Sequence, residues 1–171
     1  MISKKMILIG KRGSGKTSLA RRLVFRAFGA DYHSTLGVDI YSYDIAAGRL
    51  REGTDDLRLM IWDTQGEIER RIFVHPYFQG AAAVCIVGDA TSQDALATML
   101  ELARDCDDKA GGVPCVLLCN KVDLLAQGQQ PDWPVVFDPG RWPLFLTSAK
   151  DDINVTEAFE HTAKAIARRG L

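Results

Sequence analysis

The sequence predicts an α/β fold of three layers, in which helices cover both faces of a mostly parallel sheet of about six strands. Apolar, strand-like runs alternate with segments of helical period along the 171 residues. Two of these runs, 81–87 and 113–119, are almost wholly apolar, as is typical of strands that are buried on both faces of a parallel sheet. One strand is expected to run antiparallel to the others.

The first half of the chain should contain three strands and one helix. A strand at about 4–9 precedes a helix at about 16–28, in which leucine and valine recur at helical spacing. After a stretch at 29–37 without periodicity, alternation at 38–46 predicts a half-exposed strand, and 57–62 predicts the next strand. The polar, turn-rich segment 48–56 should join these two as an antiparallel hairpin.

In the second half, two helices should follow two strands. Ser92 is the expected N-cap of a helix at about 93–106. A short strand at 144–147 should precede a helix at 155–168, which ends in basic residues. Four prolines lie within 129–143, and an interior proline costs a helix about 3 kcal/mol, so this segment should be mostly irregular.

The motif that organises the chain is G-K-R-G-S-G-K-T at residues 10–17. It fits the phosphate-binding pattern G-x-x-x-x-G-K-[ST], and it lies between a strand and a helix, as that pattern requires. Its glycines let backbone N–H groups converge on an anion, and the helix adds the positive end of its dipole. Lys16 should reach the β- and γ-phosphates, and the Thr17 hydroxyl should ligate Mg²⁺. The expected nucleotide contacts of this segment are Gly13, Ser14, Gly15, Lys16, Thr17 and Ser18.

The tetrapeptide D-T-Q-G at 63–66 ends a strand. The carboxylate of Asp63 can hold Mg²⁺ there, normally through water, and Gly66 can bring its N–H against a γ-phosphate. An ordinary turn is the alternative for this motif, since D-x-x-G is common in turns. Its position after an apolar strand favours the phosphate site.

Two motifs after later strands indicate a guanine site. In N-K-V-D at 120–123, Asp123 can accept two hydrogen bonds from guanine that adenine does not offer, and sites of this kind discriminate by as much as about 10⁴–10⁵-fold. In S-A-K at 148–150, a backbone N–H could meet the guanine carbonyl while Ser148 braces the loop. Each motif alone is also compatible with a turn, so the order and spacing of the set carry the prediction.

The set G-K-R-G-S-G-K-T, Thr35, D-T-Q-G, N-K-V-D and S-A-K, in this order, resembles the small GTPases of the Ras superfamily over residues 4–168. The W-D-T run and the T-L-G-V-D run at Thr35 are most similar to the Rab branch, although a chain without a visible lipid anchor also suits prokaryotic Ras-like switches. The resemblance implies the P-loop NTPase fold of a single G domain over residues 1–171. It also implies a molecular switch that binds GTP or GDP with Mg²⁺ and hydrolyses GTP.

The same resemblance implies further site residues. Thr35 would join Thr17 and Asp63 at Mg²⁺, Phe28 would pack against guanine, and Tyr32 would lie near the phosphates. For Phe28, a buried aromatic at a helix end is the alternative. Residues 29–37 resemble switch I and 65–79 resemble switch II, through which effectors, exchange factors and activating proteins would bind. The remaining nucleotide contacts would be Asn120, Lys121, Asp123, Ser148, Ala149 and Lys150.

Glu67 and Arg12 depart from the family pattern. After D-x-x-G the family usually has a glutamine that orients the attacking water, whereas Glu67 carries a charge that an anionic phosphate repels. Arg12 could obstruct a partner's arginine, supply positive charge in cis, or lie solvated with little effect. The candidate catalytic residues are Glu67, Arg12, Lys16 and Gly66. The two departures, Glu67 and Arg12, predict slow hydrolysis. The alternative is a nucleotide-binding regulatory module with negligible hydrolysis.

Composition argues against several other classes. With 21 basic and 22 acidic residues, the chain offers no electrostatic case for nucleic acid. No apolar run reaches the ~18 residues of a membrane span, and neither a signal peptide nor a lipidation motif is evident. We therefore expect a cytoplasmic protein without a direct membrane anchor; the oligomeric state stays open. Its four cysteines should be reduced core thiols: Cys85, Cys106, Cys115 and Cys119.

Overall fold

The computed structural model describes residues 1–29, 37–50, 55–64, 76–131 and 138–170. Within these ranges the chain forms six strands and three α-helices, together with short 3₁₀ turns at Ala47–Arg49, Pro76–Phe78 and Val122–Leu124. In chain order the elements are β1 (Ile2–Ile9), α1 (Lys16–Phe25), β2 (Val38–Ile45), β3 (Leu57–Thr64), β4 (Ala81–Asp89), α2 (Ala95–Lys109), β5 (Cys115–Asn120), β6 (Leu144–Leu146) and α3 (Val155–Arg168).

All six strands belong to one sheet, in the order β2-β3-β1-β4-β5-β6. Strand β2 pairs antiparallel with β3, and the other neighbouring strands pair in parallel. The mostly parallel sheet with one antiparallel strand is therefore confirmed. Strand β1 lies between β3 and β4: the chain forms β2 and β3 on one side of β1 and then β4, β5 and β6 on the other. The loop after β1 therefore lies where the strand order reverses. Open α/β sheets bind their ligands at such a point.

Two apolar cores lie on opposite faces of the sheet, as the alternation of side chains along a strand requires. In β1, Met6 and Leu8 belong to the core that α3 and α1 cover, whereas Ile7 and Ile9 belong to the core that α2 covers. The prediction of helices on both faces is thus confirmed. None of the helices in the described ranges has the length and apolar character that a membrane span needs.

Two helix ends differ from the prediction. Helix α1 ends at Phe25 rather than near 28, because Arg26 adopts a left-handed conformation (φ 54°) and its N–H bonds to the carbonyl of Arg22. Helix α2 begins at Ala95 with Asp94 as its N-cap, so the expectation of Ser92 was wrong. The Ser92 N–H instead bonds to the Asp89 carbonyl at 3.0 Å, which keeps Ser92 in a turn after β4.

The proline-containing segment is irregular wherever it is described, since residues 129–131 and 138–143 form no helix. Residues 132–137 lie outside the described ranges. Trp142 is buried against α2, and its Nε1 donates to Asp107 Oδ2 at 3.2 Å, while Arg141 Nε donates to the same oxygen at 2.7 Å. These contacts fix the segment before β6. The four cysteines are free and buried, as expected of core thiols.

Candidate functional site

The turn between β1 and α1 contains three glycines with positive φ, at positions 10, 13 and 15. An added Cβ on Gly10 would lie 2.1 Å from the Val87 carbonyl oxygen, and one on Gly15 would lie 2.2 Å from Asn120 Nδ2. The turn therefore packs directly against the ends of β4 and β5. Only glycine satisfies both the conformation and the close approach at these two positions.

Lys16 is buried at the start of α1, and its Nζ donates to the carbonyls of Gly10 at 2.7 Å and Lys11 at 3.1 Å. Its ammonium therefore lies against the backbone of the turn that precedes it. Ser14 is also buried, and its Oγ has no hydrogen-bond partner within the described part of the chain. A buried ammonium beside the N-terminus of a helix makes this turn an electropositive site suited to an anion.

Asp63 is fully buried near the end of β3, opposite Leu8 of β1. Its Oδ2 accepts a hydrogen bond from Thr17 Oγ1, so residues 46 positions apart share one place at the carboxyl edge of the sheet. Thr64 Oγ1 donates to the Leu8 carbonyl at 2.7 Å and holds the two strand ends together. A carboxylate and a hydroxyl are oxygen donors of the kind that Mg²⁺ prefers.

The number of protein ligands at this place also fits Mg²⁺. Among the described residues no three His, Cys, Asp or Glu side chains cluster closely enough to hold a metal by themselves. Magnesium is usually held by one or two carboxylates together with substrate phosphates, rather than by an all-protein cage. One carboxylate beside an anion site is therefore sufficient on the protein's side.

Asn120 joins three segments of the site. It is 1% exposed, and its Nδ2 donates to the Ser14 carbonyl at 3.1 Å. Its Oδ1 accepts from Ala149 N at 3.2 Å and from Thr147 Oγ1 at 3.3 Å. The amide side chain thus fixes the ends of β5 and β6 to the turn after β1.

Asp123 and Ser148 connect the two segments beyond Asn120. Ser148 Oγ donates to Asp123 Oδ1 at 2.6 Å and accepts from the Asp151 N–H at 2.9 Å. Asp123 lies in the turn after β5, where Lys121 adopts a left-handed conformation with φ 68°. The Asp123 carboxylate is therefore oriented by a neighbouring hydroxyl and keeps a second oxygen for other hydrogen bonds.

The remaining site residues from the sequence fall into two groups. Arg12 is exposed in the turn after β1, and Phe28 is 43% exposed beyond the end of α1, so the alternative of a buried core aromatic is wrong for Phe28. Tyr32, Thr35, Gly66 and Glu67 lie outside the described residues, as do most of 29–37 and 65–79.

Arg22 belongs to the site and is absent from the sequence prediction. From the middle of α1, its Nε donates to the Ala149 carbonyl at 2.6 Å and its Nη2 to the Lys150 carbonyl at 2.7 Å. Its Nη1 also donates to the Arg26 carbonyl at 3.1 Å, at the end of the same helix. No local pattern distinguishes Arg22 from the adjacent Arg21, because its partners are 127 and 128 residues away.

Comparison with known proteins shows which family this chain belongs to. The family model described as "Ras family" matches residues 5–168. Ras-related protein Rab-7b of Bos taurus is 35% identical over an alignment that covers 96% of this chain and 82% of the relative. Ras-related protein RABG3a of Arabidopsis thaliana is 33% identical, with 94% and 80% covered. GTP-binding protein ypt1 of Schizosaccharomyces pombe is 33% identical, with 96% and 80% covered. The chain therefore belongs to the Ras family, as a Rab-like small GTPase.

Proposed function

We propose that this protein is a guanine-nucleotide switch that hydrolyses GTP slowly by itself. The observation that carries the proposal is the hydrogen bonding of Asn120, whose side chain contacts both the Ser14 carbonyl and the Ala149 N–H. Through it the phosphate loop, N-K-V-D and S-A-K are held at one edge of the sheet. A ligand that contacts all three must carry phosphates at one end and a base at the other.

The phosphates occupy the turn after β1 in this proposal. Lys16 Nζ, which donates to the Gly10 and Lys11 carbonyls at the base of this turn, reaches the β- and γ-phosphate oxygens. The N–H groups at the start of α1 provide further donors. The proposed phosphate contacts are Gly13, Ser14, Gly15, Lys16, Thr17, Ser18 and, beyond the described ranges, Tyr32 and Gly66.

The base binds between N-K-V-D and S-A-K. Asp123 accepts from the N1–H and the exocyclic amine of guanine, and the hydrogen bond from Ser148 holds its carboxylate in place. The N–H of Lys150 donates to the guanine carbonyl, since the N–H of Ala149 already donates to Asn120 Oδ1. Phe28, exposed near α1, packs on the ring. Adenine lacks the donor pair that Asp123 needs, so guanine is preferred.

Thr17 and Asp63 hold Mg²⁺, and Thr35 joins them in the GTP state. When bound, Mg²⁺ neutralises charge on the phosphate oxygens. The hydrogen bond from Thr17 Oγ1 to Asp63 supports this assignment, because it already aligns both oxygen groups at the strand edge. Asp63 acts there from complete burial, so its carboxylate is held in one place.

Hydrolysis is slow because neither Glu67 nor Arg12 replaces the glutamine that orients water in the family pattern. Glu67 brings a negative charge, which an anionic γ-phosphate would repel, in place of that glutamine. Arg12 is exposed in the phosphate loop. Lys16 and Gly66 complete the proposed catalytic group. Fast turnover then requires an activating protein. Activating proteins, effectors and exchange factors bind the segments 29–37 and 65–79.

Single-turnover hydrolysis of GTP loaded onto the purified protein with Mg²⁺ tests the proposal, alongside Arg12→Gly and Glu67→Gln. We expect slow hydrolysis in the wild type and faster hydrolysis in Glu67→Gln. Fast hydrolysis in the wild type, slowed by both substitutions, would instead make Arg12 and Glu67 the catalytic pair. Competition of ATP with GTP provides the check on base preference.

We also propose that the chain forms one G domain over residues 1–171 and works in the cytoplasm. Four free, buried cysteines support this location, because proteins of reducing compartments keep their thiols unpaired.

A further inference from the structure

Asp89 is the last residue of β4 and pairs in register with Asn120 of β5. Its Oδ1 accepts two hydrogen bonds from Thr91, from the backbone N–H at 2.9 Å and from Oγ1 at 2.7 Å. Its Oδ2 accepts from Lys121 Nζ at 2.6 Å. The hydrogen bonds to Oδ1 therefore orient the Asp89 carboxylate, and Oδ2 binds Lys121, which follows the end of the neighbouring strand β5.

Asp89, one partner of this ion pair, lies beside the phosphate loop. Asp89, Arg12, Gly13 and Ser14 line the same cavity of about 140 Å³, between the phosphate loop and α2. The side chains of Asp89 and Lys121 are 24% and 31% exposed, so water screens the pair only in part. Burial alone raises the pKa of Asp89, but the hydrogen bonds from Lys121 and Thr91 outweigh it and leave that pKa below its usual value. Asp89 is consequently charged at neutral pH.

The backbone of Lys121 is held on both sides. Asn120 is fixed by its side-chain hydrogen bonds, and the Val122 N–H bonds to the Thr147 carbonyl at 3.2 Å. Between them Lys121 has φ 68°, a conformation unfavourable for a residue with a Cβ. The four-carbon stem of Lys121 has many rotamers, and the contact with Asp89 selects among them.

We propose that Asp89 is a positioning residue for Lys121, which it holds ready for the nucleotide. This inference rests on the proposed function and on a contact between Lys121 and the bound nucleotide, which the family resemblance implies. A side chain ordered before binding loses less entropy when the nucleotide arrives. Without the carboxylate, Lys121 is released into several rotamers and the nucleotide dissociates faster.

The faster release expected without the Asp89 carboxylate should not depend on the N1–H and exocyclic amine that distinguish guanine from other bases. An ammonium group only donates hydrogen bonds, and the N1–H and exocyclic amine of guanine are donors too, so Lys121 cannot read them. GDP and inosine diphosphate, which lacks the exocyclic amine, should therefore be affected equally. Asp123, by contrast, should discriminate between these two nucleotides.

The test measures dissociation rates of fluorescently labelled GDP and inosine diphosphate from the full chain with Mg²⁺. Asp89→Asn should speed the release of both by about fivefold, the effect of a partly exposed ion pair worth about 1 kcal/mol. Asp94→Asn is the matched control, because it makes the same change of charge in a side chain that forms no cap hydrogen bond. It should leave both rates unchanged.

A double-mutant comparison separates positioning from a general structural role. In a Lys121→Met background, Asp89→Asn should have no further effect on release, whereas a structural defect would add to it. Thr91→Val removes only the Oγ1 hydrogen bond, and should speed release by about twofold if Asp89 acts as proposed. This milder variant keeps the test open if Asp89→Asn folds poorly.

Unchanged or slower release in Asp89→Asn, or an equal effect of this substitution with and without Lys121, would overturn the inference. Asp123→Asn distinguishes its failure from failure of the proposed function. If Asp123→Asn removes the preference for GDP over inosine diphosphate but Asp89→Asn is silent, only the positioning role is wrong. If Asp123→Asn keeps the preference, the proposed base site itself is wrong.

Discussion

Replacement of Asn120 by alanine should destabilise the protein more than any other change of a single polar side chain at the site. The substitution removes hydrogen bonds to the Ser14 carbonyl, the Thr147 hydroxyl and the Ala149 N–H. All three partner residues are buried, so water cannot easily replace the lost contacts.

The size of the effect follows from these three contacts. Each buried partner left unsatisfied costs about 1–3 kcal/mol, so three partners cost about 3–9 kcal/mol in the free energy of unfolding. We expect about 4 kcal/mol, towards the lower end, because the contact with Thr147 Oγ1 is long at 3.3 Å. In a chain of this size about 1 kcal/mol shifts the melting temperature by about 2–4 °C, which gives a fall of about 12 °C. Nucleotide affinity should fall too, because the three motifs separate.

Urea denaturation followed by circular dichroism, with Mg²⁺ and at two GDP concentrations, measures this loss. The difference between the two concentrations gives the contribution of bound nucleotide, which grows with the logarithm of its concentration. Asn154→Ala is the control, because it removes one exposed amide hydrogen bond, to the Leu146 carbonyl at 2.8 Å, and places alanine at the left-handed N-cap of α3 (φ 52°). Together these changes should cost about 2 kcal/mol.

A cost for Asn120→Ala no greater than that of Asn154→Ala would refute this reasoning. It would mean that the phosphate loop and the base loops are held together by backbone packing, and that the side chain of Asn120 is dispensable.

Three further predictions concern the supports of the site. Arg22→Leu should accelerate GDP release by about tenfold, and Arg22→Lys should restore it only in part, because one ammonium cannot span two carbonyls as the guanidinium fork does. Gly10→Ala should abolish soluble folded protein, since its Cβ would meet the Val87 carbonyl oxygen, whereas Gly13→Ala, with nothing near its Cβ, should fold at a cost of about 1 kcal/mol by thermal melting. Burial raises the pKa of the Cys85 thiol to about 12, so the unfolded thiol ionises first and stability should fall as pH rises from about 9 towards 12. Unfolding free energies of wild type and Cys85→Ala over that range check this, and equal slopes for the two would contradict it.

Local sequence pattern was sufficient for most of the fold. The apolar runs and helical periods predicted all six strands and the three described helices, with ends within a few residues. The errors lie at helix ends, where single residues decide. Helix α1 stops at Arg26 because that residue turns left-handed, and α2 starts after Asp94 because Ser92 is engaged in the turn that follows β4.

The sequence by itself determined the phosphate loop, the motifs at the strand ends and the family, because each depends on residue types at fixed local spacing. Only the tertiary structure decided which side chains support these motifs. Arg22 contacts a carbonyl 127 residues away, and Asp89 contacts a lysine 32 residues away. Both are ordinary charged residues in sequence, and they acquire a role only because strand order and helix packing bring particular atoms within hydrogen-bond distance. Such contacts depend on how distant parts of the chain pack against each other, and the spacing of residues within a short segment does not determine that packing.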